Sequence, residues 1–384
     1  MTRAFIVSGA RTAIGTSYKG SLADVDALDL GTAAVAEAVR RSGIDPAQVD
    51  DVVLGESLYG GGAIGRYAAI EAGLVNAPGI AHNRHCASAL AAIQTAAASV
   101  IAGMDRVVVA GGVQSSSTMP ITRRRIPGTD DWDEDWLAPS HPETPDAPIR
   151  DMTITVGWNT AVRAGISRAD QDAWALRSHQ RAIAGIDDGR FADEIVPFPV
   201  TRRDGSRFEF AVDEHPKRTS TAEKLASLKP LHPEIEGFSI TAGNAAGVND
   251  GAAALVLTSH APDPLASVRA WASVGVPPAE SGLAPAAAVR KALDRAGLTV
   301  ADVALWEINE AFASVAVAAT RALELDEDRV NVLGSGCSLG HPVAMTGARM
   351  VLTLVHELRR RDGGIGVAAM CTSGGMATAL VVEV

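Results

Sequence analysis

Residues Val35 to Glu56 read VAEAVRRSGIDPAQVDDVVLGE, and residues Val289 to Glu310 read VRKALDRAGLTVADVALWEINE. Gly43 matches Gly297, Val49 matches Val303 and Glu56 matches Glu310, each pair 254 positions apart. In both copies apolar residues recur every three or four positions up to the glycine, which predicts an amphipathic helix closed by a left-handed cap. A short loop and a buried strand follow. A second echo runs at an offset of 258, from Cys86 to Ala344. The helix after Cys86 leads into a strand at Arg106–Ala110, and the helix after Ala344 leads into Ile365–Ala369. The chain is read as a duplication whose halves alternate strand and helix, which predicts an α/β fold with mainly parallel strands and short antiparallel additions.

Length agrees with that division. The 384 residues exceed what one core usually holds, since single cores stop growing near ~250–300 residues. Between the halves lies a compositionally distinct stretch, about Ser115 to Gly237, that carries most of the prolines and the Arg123-Arg124-Arg125 run. Part of it is predicted helical, Ser167 to Asp188, with Ser167 as N-cap. Gly251–Thr258 then reads as a strand returning to the first half. The expected domains are 1–114 with 238–260 as the N-terminal half, 115–237 as an inserted loop domain, and 261–384 as the C-terminal half.

With 47% hydrophobic residues the chain is globular, and its net charge of −11 gives no general attraction to nucleic acid. An anionic ligand would need a local basic patch. No apolar run is expected to reach the ~18–20 residues that span a bilayer. Met1 to Val7 lacks a signal-peptide core and reads as a first strand, and the C-terminus is no peroxisomal address. A soluble, cytoplasmic protein is expected. Three cysteines without a C-x-x-C pair make free thiols rather than a disulfide framework.

Four segments carry chemistry-bearing residues: Asn83–Ser88 around Cys86, Asn309–Ala313, Gly340-His341-Pro342, and Cys371–Gly375. Because Cys86 is the counterpart of Ala344, His341 sits just before the equivalent position of the other half. Halves paired about a pseudo-twofold axis would bring the two face to face. A thiol at a helix N-terminus is expected to have its pKa lowered by the macrodipole, and a nearby His can take its proton. Gly374-Gly375 lets backbone N–H groups approach a ligand, as an oxyanion hole requires. Taken singly, each residue has a plain structural reading: a packed Cys, a turn His, a core Cys371, a turn Asn309. The ordered set is far more specific than its members. Cys337 is read as structural.

Other motifs fail on inspection. Gly60–Gly65 fits G-x-G-x-x-G but lacks a strand-borne acid at the distance a dinucleotide site needs. Gly336–Gly340 fits G-x-S-x-G, yet no acid lies between Ser338 and a usable His. His82, His85 and Cys86 lack a fourth zinc ligand, so no metal is expected. No Lys is followed by Ser or Thr, which excludes a P-loop.

At these four segments the sequence resembles the thiolase family. The likeness extends through Arg11–Gly15, Ala110–Gly112, Ser178–Ala182, Phe191–Pro197 and Thr241–Asn244 on to Asn249–Ala252. The resemblance implies a five-layered α-β-α-β-α fold, a loop domain that binds coenzyme A, and a homodimer or homotetramer. It implies CoA as substrate and no permanently bound cofactor. Cys86 would be the acylated nucleophile. His341 would activate it and, with a water held by Asn309, form one oxyanion hole. Cys371 would move the proton at the acetyl α-carbon, and the N–H groups of Cys86 and Ser373 would form a second hole. Met152, Ala246, Ala311 and Phe312 would lie along the acyl-CoA, with Lys217 and Arg218 at its phosphates. The implied reaction is thiolytic cleavage of a 3-oxoacyl-CoA to acetyl-CoA and a shortened acyl-CoA, or the reverse Claisen condensation.

Departures from the family pattern qualify this. Ser373, Ala89 and Ala344 replace usual glycines, and Ala246 replaces a frequent Ser. Asp151 replaces a frequent His, Gly157 a frequent Glu, Ser281 a frequent pocket Met and His232 a frequent aromatic residue. A roomier, more polar pocket is therefore expected, favouring a bulky or unusual 3-oxoacyl group. The rivals are an acetoacetyl-CoA-specific acetyltransferase, a ketoacyl synthase, and a non-catalytic acyl-CoA-binding relative. Cys371 with Asn309–Ala313 argues against the synthase.

Overall fold

A computed structural model describes residues 3–57, 59 and 63–384; Gly60, Gly61 and Gly62 of the Gly60–Gly65 motif lie outside the described residues. The strands that matter are β1 (Ala4–Arg11), β2 (Asp51–Gly55), β3 (Gly79–His82), β4 (Val107–Gln114), β5 (Asn249–Thr258), β6 (Ala266–Gly275), β7 (Val303–Ile308), β8 (Ile365–Thr372) and β9 (Met376–Glu383). The helices are α1 (Ala27–Ser42), α2 (Ser88–Ala102), α3 (Arg168–Asp187), α4 (Ala284–Ala296), α5 (Ala313–Ala322) and α6 (Thr346–Arg359).

The first echo forms as read. α1 ends at Gly43 with φ 66° and α4 at Gly297 with φ 68°, so both caps need the left-handed conformation that glycine adopts most freely. A single 3₁₀ turn then leads into β2 and β7 respectively.

Strand order makes the duplication visible. The sheet runs β7-β8-β9-β6-β1-β5-β4-β2-β3, with the two-residue strand Gly15–Thr16 attached to β5. From the centre outward, β1, β5, β4 and β2 mirror β6, β9, β8 and β7. The last pair on each side is parallel and the inner pairs antiparallel, so antiparallel pairing predominates and the expected mainly parallel sheet is corrected. The halves join through three residue pairs, Ala4 to Val268, Phe5 to Ser267 and Ile6 to Ala266.

Helices α2 and α6 touch each other and strands of both halves, so they form a central layer. Helix α1 covers the outer face of the first half and α4 that of the second. The five layers α-β-α-β-α follow. One expectation is corrected here. The window His85–Ala102 does reach 18 residues, at mean hydropathy 1.4. Most of it is buried as α2, an Ala-rich core helix between the two halves of the sheet, and that placement accounts for its hydropathy.

The inserted region clamps onto this core. Ser167 caps α3 in a reciprocal capping box with Asp170. α3 packs on α5 and on the short helix Gly336–Leu339, beside the loops that carry His341 and Asn309. Arg11, fully buried on β1, binds Glu194 at 2.8 Å and Asp213 at 2.8 Å, both from the insertion.

Candidate active site

Cys86 lies in the turn between β3 and α2, two residues before the helix starts, as Ala344 lies two before α6. The turn is tight. His85 takes φ 46°, Ala87 N–H donates to Arg84 O at 3.0 Å, and Ser88 N–H donates to His85 O at 3.1 Å. The second half reaches over: Thr372 Oγ1 donates to Arg84 O at 3.0 Å. The Ser373 and Cys86 N–H groups and Thr372 lie near the Cys86 thiol and favour its charged form. Cys371, at the end of β8, is close enough that a charge on Cys86 pushes its own thiol further up, beyond what burial does.

The expectation of a depressed Cys86 pKa is overturned. Desolvation pushes the thiol of the half-buried Cys86 up to about 11 despite those neighbours. Desolvation of a thiolate outweighs the helix terminus here, because α2 begins two residues later.

His341 is buried and held from both ends. Its N–H donates to Asn249 Oδ1 at 3.0 Å, while Asn249 Nδ2 donates to Gly15 O at 3.0 Å. Its Nδ1 lies 2.7 Å from Thr346 Oγ1, and its Nε2 lies 3.4 Å from Asn309 Nδ2. Burial, aided by the Arg349 guanidinium, pushes its pKa down to about 4, so the resting imidazole is neutral. Gly340 carries φ 100°, and a Cβ there would meet the Asn249 side chain at 2.6 Å. Asn309 follows β7, its N–H donating to Ala369 O at 2.9 Å, and its Oδ1 is buried without a hydrogen-bond partner.

Next to Asn309, Glu310 accepts four hydrogen bonds. They come from Trp174 Nε1, Asn331 Nδ2, Ser178 Oγ and the Cys337 N–H, at 2.6–3.1 Å. This carboxylate ties α3, β7 and the Gly336–Leu339 turn together. Cys337 is buried in that scaffold, consistent with a structural thiol.

Met152, Ala311 and Phe312 join Cys371 in one apolar cluster with Val156, Phe238, Ile240 and Val315. Ala246 is tied to it, its N–H donating to Ala311 O at 3.0 Å. Lys217 and Arg218 have other partners. Lys217 is exposed with its N–H on His179 Nδ1 at 3.2 Å, and Arg218 pairs with Asp187 on the surface.

Three polar departures satisfy one another or the backbone rather than opening into a pocket. Ser281 Oγ donates to Pro278 O at 2.6 Å and accepts the Gly375 N–H at 2.9 Å. Asp151 lies 2.8 Å from His232. The expected extra polarity is therefore already spent on protein partners, and Gly375 N–H is no free oxyanion donor. Asn249, Thr346 and Thr372 carried no role in the sequence reading. Thr346, five residues after His341, was the accessible signal, since a side chain at a helix start faces the loop before it. Among the described residues no three His, Cys, Asp or Glu side chains stand together as a metal site.

The profile of the thiolase N-terminal domain matches residues 4–261, and that of the thiolase C-terminal domain matches residues 262–384. An acetyl-CoA acetyltransferase of Pseudomonas aeruginosa is 41% identical, covering 98% of both chains. A 3-ketoacyl-CoA thiolase of Bacillus subtilis is 37% identical over the whole of both. The crystal structure of the Bacillus anthracis acetyl-CoA acetyltransferase superposes with a TM-score of 0.90 at 38% identity, covering 100% of this chain and 99% of that one. With its two halves, its strand order and its pair of cysteines from opposite halves all accounted for, the chain belongs to the thiolase family.

Proposed function

We propose that this protein cleaves a 3-oxoacyl-CoA with CoA, and runs the reverse Claisen condensation, through an acyl group carried on Cys86. The observation that carries this reading is the meeting of Cys86 with Cys371 and the Ser373 N–H, groups from opposite halves.

The chemistry follows from the protonation states. At neutral pH His341 is an unprotonated base and Cys86 a neutral thiol. As Cys86 Sγ attacks the 3-keto carbon, its proton passes to His341, whose imidazolium then faces the developing oxyanion. Asn309 Oδ1 is free to hold a water at the same oxygen. Collapse breaks the C2–C3 bond and releases acetyl-CoA as its enolate. Cys371, kept protonated by burial, gives that carbon its proton. Incoming CoA passes its thiol proton to the Cys371 thiolate and takes the acyl group from Cys86. The N–H groups of Cys86 and Ser373 are assigned to the second oxyanion.

CoA is a substrate in this reading. Lys217 and Arg218 are its assigned phosphate contacts, and Arg218 must share or leave Asp187 to serve. Residues 115–237 form the assigned CoA-binding domain, with 1–114 plus 238–260 and 261–384 as the catalytic halves. A longer or branched acyl group is assigned on side-chain length alone: Ser281 is short where a longer residue is usual, while its hydroxyl is bonded to Pro278 O and the Gly375 N–H. A homodimer or homotetramer fits the open sheet end at β3, where Ile80 is exposed beside Tyr67, Ile70 and Val75. A soluble, cytoplasmic enzyme completes the reading; the core position of α2 supports it.

The test is thiolysis, followed as loss of 3-oxoacyl-CoA absorbance when CoA is added, across acyl chains. Turnover with a preference for longer or branched chains supports the reading. A strong preference for acetoacetyl-CoA leaves the acetyltransferase alternative, and no turnover with intact acyl-CoA binding leaves the non-catalytic one.

A further inference from the structure

Thr346 sits at the first position of α6, and its hydroxyl touches two groups. Its Oγ1 is 2.8 Å from Pro342 O, one turn back, and 2.7 Å from His341 Nδ1. A hydroxyl has one proton. Pro342 O can only accept, so a 2.8 Å contact between two oxygens needs that proton between them; without it the contact is repulsive. The proton spent there leaves Oγ1 as an acceptor toward His341, which requires a hydrogen on Nδ1. The other face of the ring agrees. Asn309 Nδ2, a donor, is turned toward Nε2, which then offers a lone pair. Asn309 Oδ1, which would be needed to accept from an Nε2–H, has no partner. From these contacts we infer that Thr346 is a positioning residue that fixes His341 as the Nδ1–H tautomer, leaving Nε2 as the base for Cys86. This inference rests on the reading above, in which His341 takes the Cys86 proton.

The consequence is chemical. When Nε2 accepts the thiol proton, the charge that forms on the ring is shared with a neutral hydroxyl through Nδ1–H. A carboxylate in that place would raise the basicity of the ring and favour a resting imidazolium. The charged group that acts on His341 is instead Arg349, which opposes protonation. Arg349 is itself tied to Glu307 at 2.7 Å and to Ser335 Oγ at 2.9 Å. The Thr346 arrangement therefore holds a neutral, correctly oriented base. Asn249 completes the mount by holding the His341 backbone, so ring and main chain are fixed by different elements.

Two measurements test this. In the first, wild-type protein carrying ¹⁵N-labelled histidine is examined by long-range ¹H–¹⁵N correlation at neutral pH, with His341 assigned by its absence in His341→Asn. The expected spectrum shows a protonated Nδ1 and an unprotonated Nε2. A protonated Nε2 in the resting enzyme overturns the inference, whether or not the protein turns over. In the second, Thr346→Val keeps the volume and removes the hydroxyl. Losing a hydrogen bond to a forming charge is expected to lower kcat by roughly 10- to 100-fold, with KM for the acyl-CoA within about twofold of wild type. Thr346→Ser restores the hydroxyl and is expected to recover most of the lost rate. A Thr346→Val enzyme as fast as wild type, or a Thr346→Ser enzyme as slow as Thr346→Val, overturns it. If His341→Asn itself left thiolysis unchanged, the proposed function would fall while the tautomer measurement would still stand.

Discussion

The imidazole of His232 lies 2.8 Å from the Asp151 carboxylate and 2.7 Å from that of Glu234, edge-on to Phe238 at 4.9 Å. Two positions where this chain departs from its family thus compensate each other. Asp151 also caps the turn at Thr153, its Oδ1 accepting the Thr153 N–H at 2.9 Å. The pair latches that turn to the segment bearing Phe238, which packs with Cys371 and Met152.

Both partners' pKa values move as a latch requires. The Glu234 hydrogen bond, followed among the raising causes by Asp151, lifts His232 above its ordinary value. Hydrogen bonds from Thr153 and the His232 charge hold Asp151 down against its burial. The His contribution is complete below the ordinary His range and fades as pH rises through the lifted value. The Asp contribution is present above the ordinary Asp range and fades as pH falls through the depressed one. The latch is therefore tightest in mildly acidic solution. Asp151→Asn and His232→Asn are expected to be non-additive in urea melts at pH 6, with a coupling of roughly 0.5–1 kcal/mol. That coupling should shrink at pH 8.5. Additive losses at both pH values would show that the pair does not act as one.

Reactivity of Cys86 gives a second prediction. With its thiol pushed up to about 11 and His341 down to about 4, the resting pair is thiol and imidazole, not thiolate and imidazolium. The rate of iodoacetamide inactivation should keep climbing through pH 10. A plateau reached by pH 8 would mean a depressed thiol and a different account of the site.

The loop after Cys371 supplies a third. Gly375 has φ 74°, and a Cβ there would meet Val276 O at 2.0 Å. Its N–H is held by Ser281. Ser281→Ala leaves that buried N–H unpaired, a loss of about 1–3 kcal/mol. It should also slow turnover, because the Ser373 N–H rides on the same loop. Gly375→Ala should be worse in both thermal melting and kcat. Unchanged melting and turnover in Ser281→Ala would show that the loop is held by other contacts.

Arg11 gives a fourth. Its guanidinium is buried between Glu194 and Asp213, and these charges lift its pKa against its burial. Arg11→Ala strands two buried carboxylates at a cost of about 3–5 kcal/mol. Limited proteolysis should then cut within the inserted region first. Wild-type resistance in a stably folded variant would refute the clamp.

The duplication was legible because it is written in local code, two glycine-capped helices followed by apolar strands at a fixed offset. The four candidate segments stood out as an ordered set of chemistry-bearing residues at strand ends and helix starts. What escaped lies across the chain. Asn249 meets His341 over 92 positions and Thr372 meets Arg84 over 288, contacts no local pattern encodes. The depressed Cys86 pKa failed because a helix terminus is readable in sequence while desolvation is not. Polar residues at Ser281, Asp151 and His232 suggested a polar pocket. Only their geometry reveals that each already has a partner.

Acylation of Cys86 is the step on which every other assignment depends. The direct measurement is intact-protein and peptide mass spectrometry after incubation with an acyl-CoA and an acid quench. The account predicts one acyl group per chain on the peptide bearing Cys86, present in Cys371→Ala and absent in Cys86→Ala. An acyl group found in Cys86→Ala, or found on Cys371 in the wild type, would contradict it.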